Sequence, residues 1–254
     1  MIPSDTLLVI PTCRDGAELA VYLPKLCAQM AFGPDDVLVQ VVDDGSPPDE
    51  QTWLAAEIER LRRAYDFLQP LMALPVNRGK GYAIRAGWGA HGSMRWLAFV
   101  DADGAVPAEE VASLLQLAKN YPATSMYLAM RADLPEKRVK RFWYRRLGSW
   151  FFNAWVRFCL PLEMSDTQCG LKIIPAAFFA GGLPPFEQPD SPSNPLSLWR
   201  EDGFAFDLEL LLRARAVDLP VIAQPISWNE HAGSSLGAGA MLGLFVAVWR
   251  LRKG

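Results

Sequence analysis

Two aspartates separated by one residue follow directly after a strongly apolar run. Asp101 and Asp103 come after Trp96–Val100, which has the composition of a buried strand. A strand that ends at this pair places both carboxylates near a single turn. Mg²⁺ in proteins commonly binds one or two carboxylates together with the phosphate oxygens of a substrate. The pair therefore predicts a divalent-metal site, while a plain surface turn, which also favours Asp and Gly, stays open.

A second acidic pair and a cationic glycine-rich segment lie where other elements are expected to end or begin. Asp43 and Asp44 precede Gly45 and Ser46 after a β-rich run, and a carboxylate there can accept hydrogen bonds from a base or a ribose. Residues 77–81 read Asn-Arg-Gly-Lys-Gly ahead of a helix-like stretch, and a cationic helix N-terminus suits a phosphate. The segment is not a P-loop, because the GxxxxGK[ST] pattern is absent. Ordinary turns remain the alternative for both features.

Two further polar clusters interrupt apolar sequence in the second half of the chain. Residues 165–172 read Ser-Asp-Thr-Gln-Cys-Gly-Leu-Lys. Asp207 and Glu209 lie two residues apart in a helix-like stretch, so they cannot share one helix face, and one is expected to face a site while the other caps or is solvated. A nucleophilic role for Cys169 is disfavoured, because no histidine lies near it in sequence.

The elements that must position these residues alternate between two patterns. β-rich runs cover 7–10, 37–42, 68–74, 96–100 and 125–129, and helix-like stretches cover 17–30, 49–65, 81–90 and 108–120. Alternation of this kind predicts a parallel sheet with helices on its faces. Ligands of such sheets bind beyond the carboxyl ends of the strands, where the acidic pairs fall. A loop is predicted at 181–200, a helix at 206–217 and a strand at 220–226.

Composition narrows the class of protein. The chain has 254 residues, 51% apolar and 21% charged, with a formal net charge of −3, which excludes bulk disorder and a globally basic nucleic-acid binder. Four cysteines without CxxC spacing and two histidines disfavour a structural zinc site, and free thiols suit a reducing cytosol. The N-terminus lacks the basic region of a secretory signal. The longest uncharged stretch, 231–249, has too short an apolar part to span a bilayer, so we expect a soluble or peripheral protein.

Six ordered motifs resemble the family 2 inverting glycosyltransferases, in particular the polyprenyl-phosphate branch with its dolichyl-phosphate glucosyl- and mannosyltransferases. The motifs are VVDDGS, NRGKGYAIRAG, VDADGA, SDTQCGLK, FAFDLELL and SWNEHAGSSL. Arg14-Asp15 departs from the Asn-Glu that is usual in the family after the first strand. Ala105 stands where mannose-transferring relatives often have Gln, and it fits the glucosyl-type pattern. The N-terminal membrane anchor of the eukaryotic glucosyltransferases is not expected here.

The resemblance implies an α/β fold: a Rossmann-like, nucleotide-sugar-binding sheet of the GT-A type, flanked by helices, with amphipathic C-terminal helices. One catalytic domain is expected over 1–230, with a basic-aromatic helical insertion at 131–160, followed by an amphipathic helix at 231–254. The implied reaction moves a hexose, glucose in the first place, from UDP-glucose or GDP-mannose to a polyprenyl phosphate. Inversion then follows from a single displacement.

The same resemblance assigns roles to individual residues. Mg²⁺ or Mn²⁺ would bind Asp101 and Asp103. The nucleotide sugar would lie against Pro11, Asp15, Asp43, Asp44, Lys80, Asp101 and Gln168. Asp166, Asp207 and Glu209 are the candidates to orient the acceptor, or to act as a base if the acceptor is a hydroxyl. A phosphate acceptor is already ionised near neutral pH and needs no strong base.

Residues 131–157 combine eight Lys and Arg residues against two acidic ones with many aromatic side chains. On a helical wheel one face holds Trp143, Leu147, Trp150, Phe151, Ala154 and Phe158, and the opposite face holds Arg138, Arg141 and Arg145, with Lys140, Arg146 and Arg157 breaking the pattern. Such a helix favours an anionic membrane surface. We therefore expect a cytoplasmic protein, peripheral on the inner face of the membrane and assisted by 240–253. A helix packed on the sheet with a solvated charged face stays open.

Three other functions remain open. A glycosyltransferase can use a soluble acceptor, or another lipid or glycan. A nucleotidyltransferase also uses sugar nucleotides and metal-binding carboxylates, but the glycine-rich loop near the N-terminus is missing. A non-catalytic, membrane-associated nucleotide-binding protein would not need the intact DAD and QCG motifs at 101–103 and 168–170.

Overall fold

The structure is a computed structural model that describes residues 5–33, 36–91, 94–131, 139–140, 143–162, 166–180, 199–229 and 238–252. The strands are β1 Thr6–Thr12, β2 Val37–Asp43, β3 Met72–Ala73, β4 Trp96–Val100, β5 Met126–Arg131, β6 Val139–Lys140, β7 Leu171–Pro175, β8 Val221–Ile226 and β9 Trp228–Asn229. The helices are α1 Gly16–Phe32, α2 Pro48–Arg62, α3 Lys80–Ala90, α4 Ala108–Lys119, α5 Trp143–Cys159, α6 Ala176–Ala180, α7 Phe206–Ala216 and α8 Ala238–Arg252.

A seven-stranded sheet in the order β3-β2-β1-β4-β7-β5-β8 forms the centre, and β6 pairs with β9 in a separate two-stranded sheet. Every residue of β1, β4 and β7 is buried, as expected for strands covered on both faces. Leu19, Leu54 and Leu115 belong to the core under α1, α2 and α4, while Trp88 and Phe206 belong to the core under α3 and α7. The α/β class expected from the sequence is confirmed.

The sheet contains one strand, β7, that the sequence patterns do not predict, whereas the ladders among β1, β2, β3 and β4 are parallel as expected. β7 runs antiparallel to both β4 and β5, and its five buried residues continue directly from the polar motif at 165–172. Because of this direction, Leu171 at the start of β7 pairs with Val100 at the end of β4. The polar residues ahead of β7 therefore lie at the same sheet edge as the acidic pair that follows β4.

The other boundaries agree with the sequence except in one strand. The strand expected over 68–74 shrinks to β3 and a single bridge between Leu68 and Val39, because Pro70 lacks the N–H that a continuous ladder needs. The loop expected at 181–200 lies outside the described residues, apart from Trp199 and Arg200.

Helix α5 falls within the basic-aromatic segment and packs against α8. The Trp155 ring centroid lies 6.2 Å from that of Phe245 and 6.3 Å from that of Trp249. Phe152 meets Phe245 edge to face at 5.6 Å. Among the helices that the structure describes, none is both long and apolar enough to cross a bilayer.

Candidate functional site

The carboxyl end of β4 and the start of β7 are joined by a backbone hydrogen bond. The Asp101 N–H donates to the Gly170 carbonyl over 2.9 Å. A Cβ atom on residue 170 would lie 2.1 Å from Asp101 Oδ2, so only glycine leaves room for the aspartate side chain. The motifs VDADGA and SDTQCGLK thus form one continuous surface.

Two lysines and two aspartates alternate in charge from the site surface into the protein. Lys80 Nζ lies 2.8 Å from Asp101 Oδ1 and 3.1 Å from Asp207 Oδ2. Lys172 Nζ contacts the other oxygen of Asp207 and donates to the Cys169 carbonyl over 2.9 Å. We call Asp101, Lys80, Asp207 and Lys172 the charge chain. Side-chain exposure falls along it, from 29% at Asp101 and 11% at Lys80 to 1% at Asp207 and Lys172.

Burial and neighbouring charges shift the pKa of three members of the charge chain. Burial alone would raise the pKa of Asp207, but the ammonium groups of Lys172 and Lys80 outweigh it and lower that pKa. The pKa of Asp101 is raised by burial, which Lys80 offsets only in part, and repulsion from Asp103 and Asp207 adds to the rise. The pKa of Lys80 is raised because Asp101 and Asp207 outweigh the effect of burial. Lys80 is therefore a cation held between two carboxylates.

The acidic pair after β4 fits a divalent cation. Asp103 Oδ1 accepts a hydrogen bond from the Ala105 N–H over 3.0 Å. The pKa of Asp15 is raised to about 6 by burial, and repulsion from Glu18, Asp103 and other carboxylates adds to the rise. Among the described residues, no cluster of three or more His, Cys, Asp or Glu side chains forms a complete ligand set. Two carboxylates with further oxygens from a substrate are the arrangement that Mg²⁺ commonly uses.

Asp43 and Asp44 organise the loops beside this pair. The Asp43 carboxylate accepts hydrogen bonds from the Ser46 N–H over 2.9 Å and from Gln51 Nε2 over 2.7 Å. Asp44 accepts from the N–H groups of Arg78 and Gly79 over 2.9 and 2.6 Å. Both aspartates are buried. The N–H groups of Arg78 and Gly79, directly ahead of α3, are thus bound to Asp44.

The end of β1 lies beside the Asp43–Asp44 loop. Pro11 and Thr12 pair in register with Val42 and Asp43, and Pro11 is buried. Arg14 adopts a left-handed φ of 61°, and its N–H donates to Ser46 Oγ over 2.9 Å. The Arg14-Asp15 dipeptide, where the sequence departs from the family pattern, therefore forms the tight corner between β1 and α1.

Gln168 and its neighbour supply polar groups without partners. The Thr167 hydroxyl and Gln168 Nε2 are buried and have no hydrogen-bond partner among the described residues. Unsatisfied buried polar groups are uncommon and indicate a missing partner. Both residues lie just ahead of Gly170, on the segment that meets Asp101.

The three candidate orienting or basic carboxylates have different partners. Asp166 accepts from the Arg131 N–H over 2.9 Å and from Arg131 Nε over 2.7 Å. Burial would raise the pKa of Asp166, but the Arg131 guanidinium lowers it. Glu209 is buried rather than solvated, and it pairs with Arg213 at 2.6 Å. Of the three, Asp207 is the one that contacts Lys80.

Cys169 does not offer a nucleophile. Burial raises the pKa of its thiol to about 12, and repulsion from Asp166 adds to the rise. A thiol with such a pKa is protonated at neutral pH and unreactive. The structure agrees with the expectation from the sequence.

Two residues of the site were missed by sequence reasoning. Lys172 was given no role, although a lysine between Leu171 and Ile173 in a short apolar run is a recognisable signal, since lysine is rarely buried without a partner. Arg131 was counted among the cations of the basic-aromatic segment. It instead pairs with Asp166, and its guanidinium lies 4.8 Å from the centroid of the Trp228 ring.

Comparison with known proteins gives a family match and distant relatives. The model of Glycosyl transferase family 2 matches residues 7–174. Human dolichyl-phosphate beta-glucosyltransferase is 30% identical over 204 residues, which are 78% of this chain and 57% of that protein. The undecaprenyl-phosphate mannosyltransferase of Micrococcus luteus is 25% identical over 240 residues, 93% of this chain and 89% of that protein. The chain therefore spans little more than half the length of its human relative.

Solved structures share the fold. Glucosyl-3-phosphoglycerate synthase from Mycobacterium tuberculosis, crystallised with Mn²⁺, uridine diphosphate and phosphoglyceric acid, superposes with a TM-score of 0.66 at 17% identity. The match covers 99% of this chain and 79% of that one. At this level of identity the likeness concerns the fold alone, and it agrees with the GT-A-type α/β sheet expected from the motifs.

Proposed function

Because this chain belongs to glycosyl transferase family 2, we propose that it is an inverting glycosyltransferase that moves a hexose, glucose in the first place, from a nucleotide-diphosphate sugar to a polyprenyl phosphate. The observation that carries the proposal is the pairing of Asp101 with Lys80 at the edge where β4 and β7 meet. The two relatives above are named for dolichyl phosphate and undecaprenyl phosphate, which supports a lipid-phosphate acceptor.

The donor site is built from the loops at this sheet edge. Asp101 and Asp103 would hold Mg²⁺ or Mn²⁺, which supplies Lewis-acid stabilisation of a departing diphosphate. Lys80 adds a positive charge beside them, and Gln168 offers an unpartnered amide donor. The position proposed for the nucleoside is bordered by Pro11 near the end of β1, by Asp15 ahead of α1, and by the loop that Asp43 and Asp44 organise. UDP-glucose and GDP-mannose are the donors to test.

The proposed reaction is a single displacement. An oxygen of the acceptor phosphate attacks the anomeric carbon, and the bond from that carbon to the diphosphate breaks with its electron pair leaving on the nucleotide. No proton has to be removed from an ionised phosphate. This fits Asp166, Asp207 and Glu209, whose oxygens are already paired with Arg131, the two lysines and Arg213. We assign the three carboxylates to orientation and charge placement, with base catalysis reserved for a hydroxyl acceptor.

A polyprenyl acceptor is embedded in a membrane, so the enzyme needs a surface that can bind lipid. Helices α5 and α8 carry exposed apolar side chains that can form such a surface. Phe151, Phe158 and Leu242 are 57%, 71% and 68% exposed, and Trp249 is 42% exposed. Phe151, Ala154 and Phe158 are the described members of the aromatic face expected from the wheel, and all three are exposed. The side chains of Trp143, Arg145, Leu147 and Trp150, and the residues Arg138 and Arg141, lie outside what the structure describes.

We call the exposed side chains Phe151, Phe158, Leu242 and Trp249 the α5–α8 surface, and exposed cations lie on the same two helices. Arg157, Arg250 and Arg252 are exposed, and the Arg252 guanidinium lies 5.7 Å from the Phe158 ring. Aromatic side chains beside cations suit the interface of an anionic bilayer. We therefore propose peripheral binding to the cytoplasmic face of a membrane. The four free cysteines fit a reducing compartment.

The function is tested by following labelled sugar from donor to acceptor. The full chain is incubated with UDP-[¹⁴C]glucose or GDP-[¹⁴C]mannose, Mn²⁺ and undecaprenyl or dolichyl phosphate in detergent. Label that enters the organic phase supports the proposal, and the better donor identifies the sugar. If label moves only to an added soluble phosphorylated compound, the acceptor is a soluble molecule and the lipid acceptor is rejected. Pyrophosphate released from a sugar phosphate and a nucleoside triphosphate would indicate a nucleotidyltransferase, and nucleotide binding without turnover would indicate a binding protein.

A further inference from the structure

Lys172 is the innermost member of the charge chain and lies away from the site surface. Its side chain is 1% exposed, on a strand whose every residue is buried. Its ammonium contacts Asp207 and the Cys169 carbonyl, and it lies 5.5 Å from the centroid of the Phe99 ring. Burying an ammonium is costly unless a partner compensates the charge. Lys172 therefore reaches a ligand at Asp101 indirectly, and its side-chain route runs through Asp207 and Lys80.

Lys80 is shared by two carboxylates of unequal exposure. It contacts Asp207, which is 1% exposed, and Asp101, which is 29% exposed. An anion as buried as Asp207 cannot lose its counter-ion cheaply, because removing one partner of a buried pair leaves an uncompensated charge. Lys172 supplies a second counter-ion to Asp207. With Lys172 present, Lys80 can move without leaving Asp207 unpaired.

We propose that Lys80 is an internal counter-ion of Asp101 in the empty donor site, and that Lys172 is a positioning residue that allows Lys80 to turn from Asp101 to the diphosphate of the donor. The inference rests on the proposed donor site. In the empty site Lys80 already neutralises Asp101, so a metal ion alone competes with it. When a diphosphate arrives with the metal, Lys80 exchanges one anionic partner for another. Metal and nucleotide therefore bind cooperatively, and the coupling is reciprocal.

The variant Lys80→Met tests the counter-ion role directly. Mn²⁺ binding is measured by electron paramagnetic resonance without nucleotide, and UDP binding by calorimetry with and without Mn²⁺. Lys80→Met is expected to bind Mn²⁺ alone about tenfold more tightly than the wild type, a difference of about 1.4 kcal/mol. The variant is also expected to lose most of the coupling between Mn²⁺ and UDP. Mn²⁺ affinity that is unchanged or weaker would overturn the role.

The variant Lys172→Met tests the positioning role. Without Lys172, Asp207 retains Lys80, so UDP affinity in the presence of Mn²⁺ is expected to fall about tenfold, equivalent to about 1.4 kcal/mol. The double variant Lys172→Met/Asp207→Asn removes the buried anion as well, and Lys80 is free to move again. Its UDP affinity should return toward the wild-type value. Lys119→Met, which removes a lysine paired with Asp5 at 3.4 Å, is the matched control and should change neither measurement.

The binding results show whether the inference fails alone or together with the proposed function. Wild-type protein that binds neither UDP nor GDP with Mn²⁺ would overturn both. Wild-type binding that is cooperative, with Lys172→Met unchanged in UDP affinity, would overturn the positioning role and leave the donor site intact. If Lys172→Met does not fold, the double variant tests the positioning role of Lys172 and Lys80→Met tests the counter-ion role of Lys80. A double variant that folds but binds UDP tenfold more weakly than the wild type contradicts the positioning role.

Discussion

The N–H of Asp101 donates to the carbonyl of Gly170, and the aspartate side chain occupies the space where residue 170 would carry a Cβ atom. This relationship joins the metal-binding candidate after β4 to the polar segment ahead of β7. It exists because β7 enters the sheet antiparallel to β4. A side chain at position 170 should therefore disturb Asp101 before anything else.

Gly170→Ala is expected to abolish most sugar transfer. The added Cβ would lie 2.1 Å from Asp101 Oδ2, so the carboxylate must leave its position. Mn²⁺-dependent UDP binding, measured by calorimetry, should weaken at least tenfold. Gly89→Ala is the control, because a Cβ at that position meets nothing within 4 Å. Equal UDP affinity in the two variants would remove Gly170 from this role.

Asp166→Asn is expected to lower the free energy of unfolding. It is also expected to weaken the dependence of that free energy on pH in the acid range. Removing one partner of a buried ion pair costs about 3–5 kcal/mol, and the variant removes the carboxylate that pairs with Arg131. Because the pKa of Asp166 is lowered in the folded protein, its contribution is present above the unfolded pKa of about 3.9 and is lost as the pH falls through the lower folded value. Urea unfolding from pH 7 down to pH 2 measures both effects. An unchanged pH slope in the variant would contradict the assignment.

Asp15→Asn is expected to stabilise the empty protein at neutral pH. Burial and neighbouring carboxylates raise the pKa of Asp15 to about 6, so the folded state loses stability as the pH rises from about 4 toward that value. Because solvent screens the charge of Asp15, the expected gain in the free energy of unfolding at pH 7 is only about 1 kcal/mol. This gain should vanish near pH 4. Asp66→Asn is the control, because it removes an aspartate that is also exposed and is not among the carboxylates acting on Asp15. A stability gain of the same size at both pH values would point to another cause.

Phe158→Glu is expected to weaken binding to anionic vesicles. Phe158 is 71% exposed on the α5–α8 surface, whereas Phe32 is 91% exposed on α1, so Phe32→Glu introduces the same charge change elsewhere. Co-sedimentation with phosphatidylglycerol vesicles should fall for Phe158→Glu alone. Wild-type binding should also weaken with salt, because the Debye length shrinks from about 10 Å at 0.1 M to about 3 Å at 1 M. Equal loss in the two variants would place the docking surface elsewhere.

Much of the site could be anticipated from local sequence patterns. The apolar run indicated a strand at Trp96–Val100, and the structure has a strand over the same residues. The acidic pair comes next in the sequence, so its place at the end of this strand could be predicted. The charge chain could not be anticipated. Lys80 meets Asp207 across 127 residues, and Lys172 meets Asp207 across 35. Pairings of this kind depend on strand order and direction, and the direction of β7 is not encoded in its five residues, Leu-Lys-Ile-Ile-Pro.

Analysis of the lipid product tests the central claim most directly. The full chain is supplied with UDP-α-glucose, Mn²⁺ and a polyprenyl phosphate, and the sugar-bearing lipid is purified and examined by NMR. The account predicts a glucosyl phosphate lipid with the β configuration at the anomeric carbon, formed by the wild type and lost in Asp101→Asn. An α-linked product, or a β-linked product formed equally well by Asp101→Asn, would contradict it.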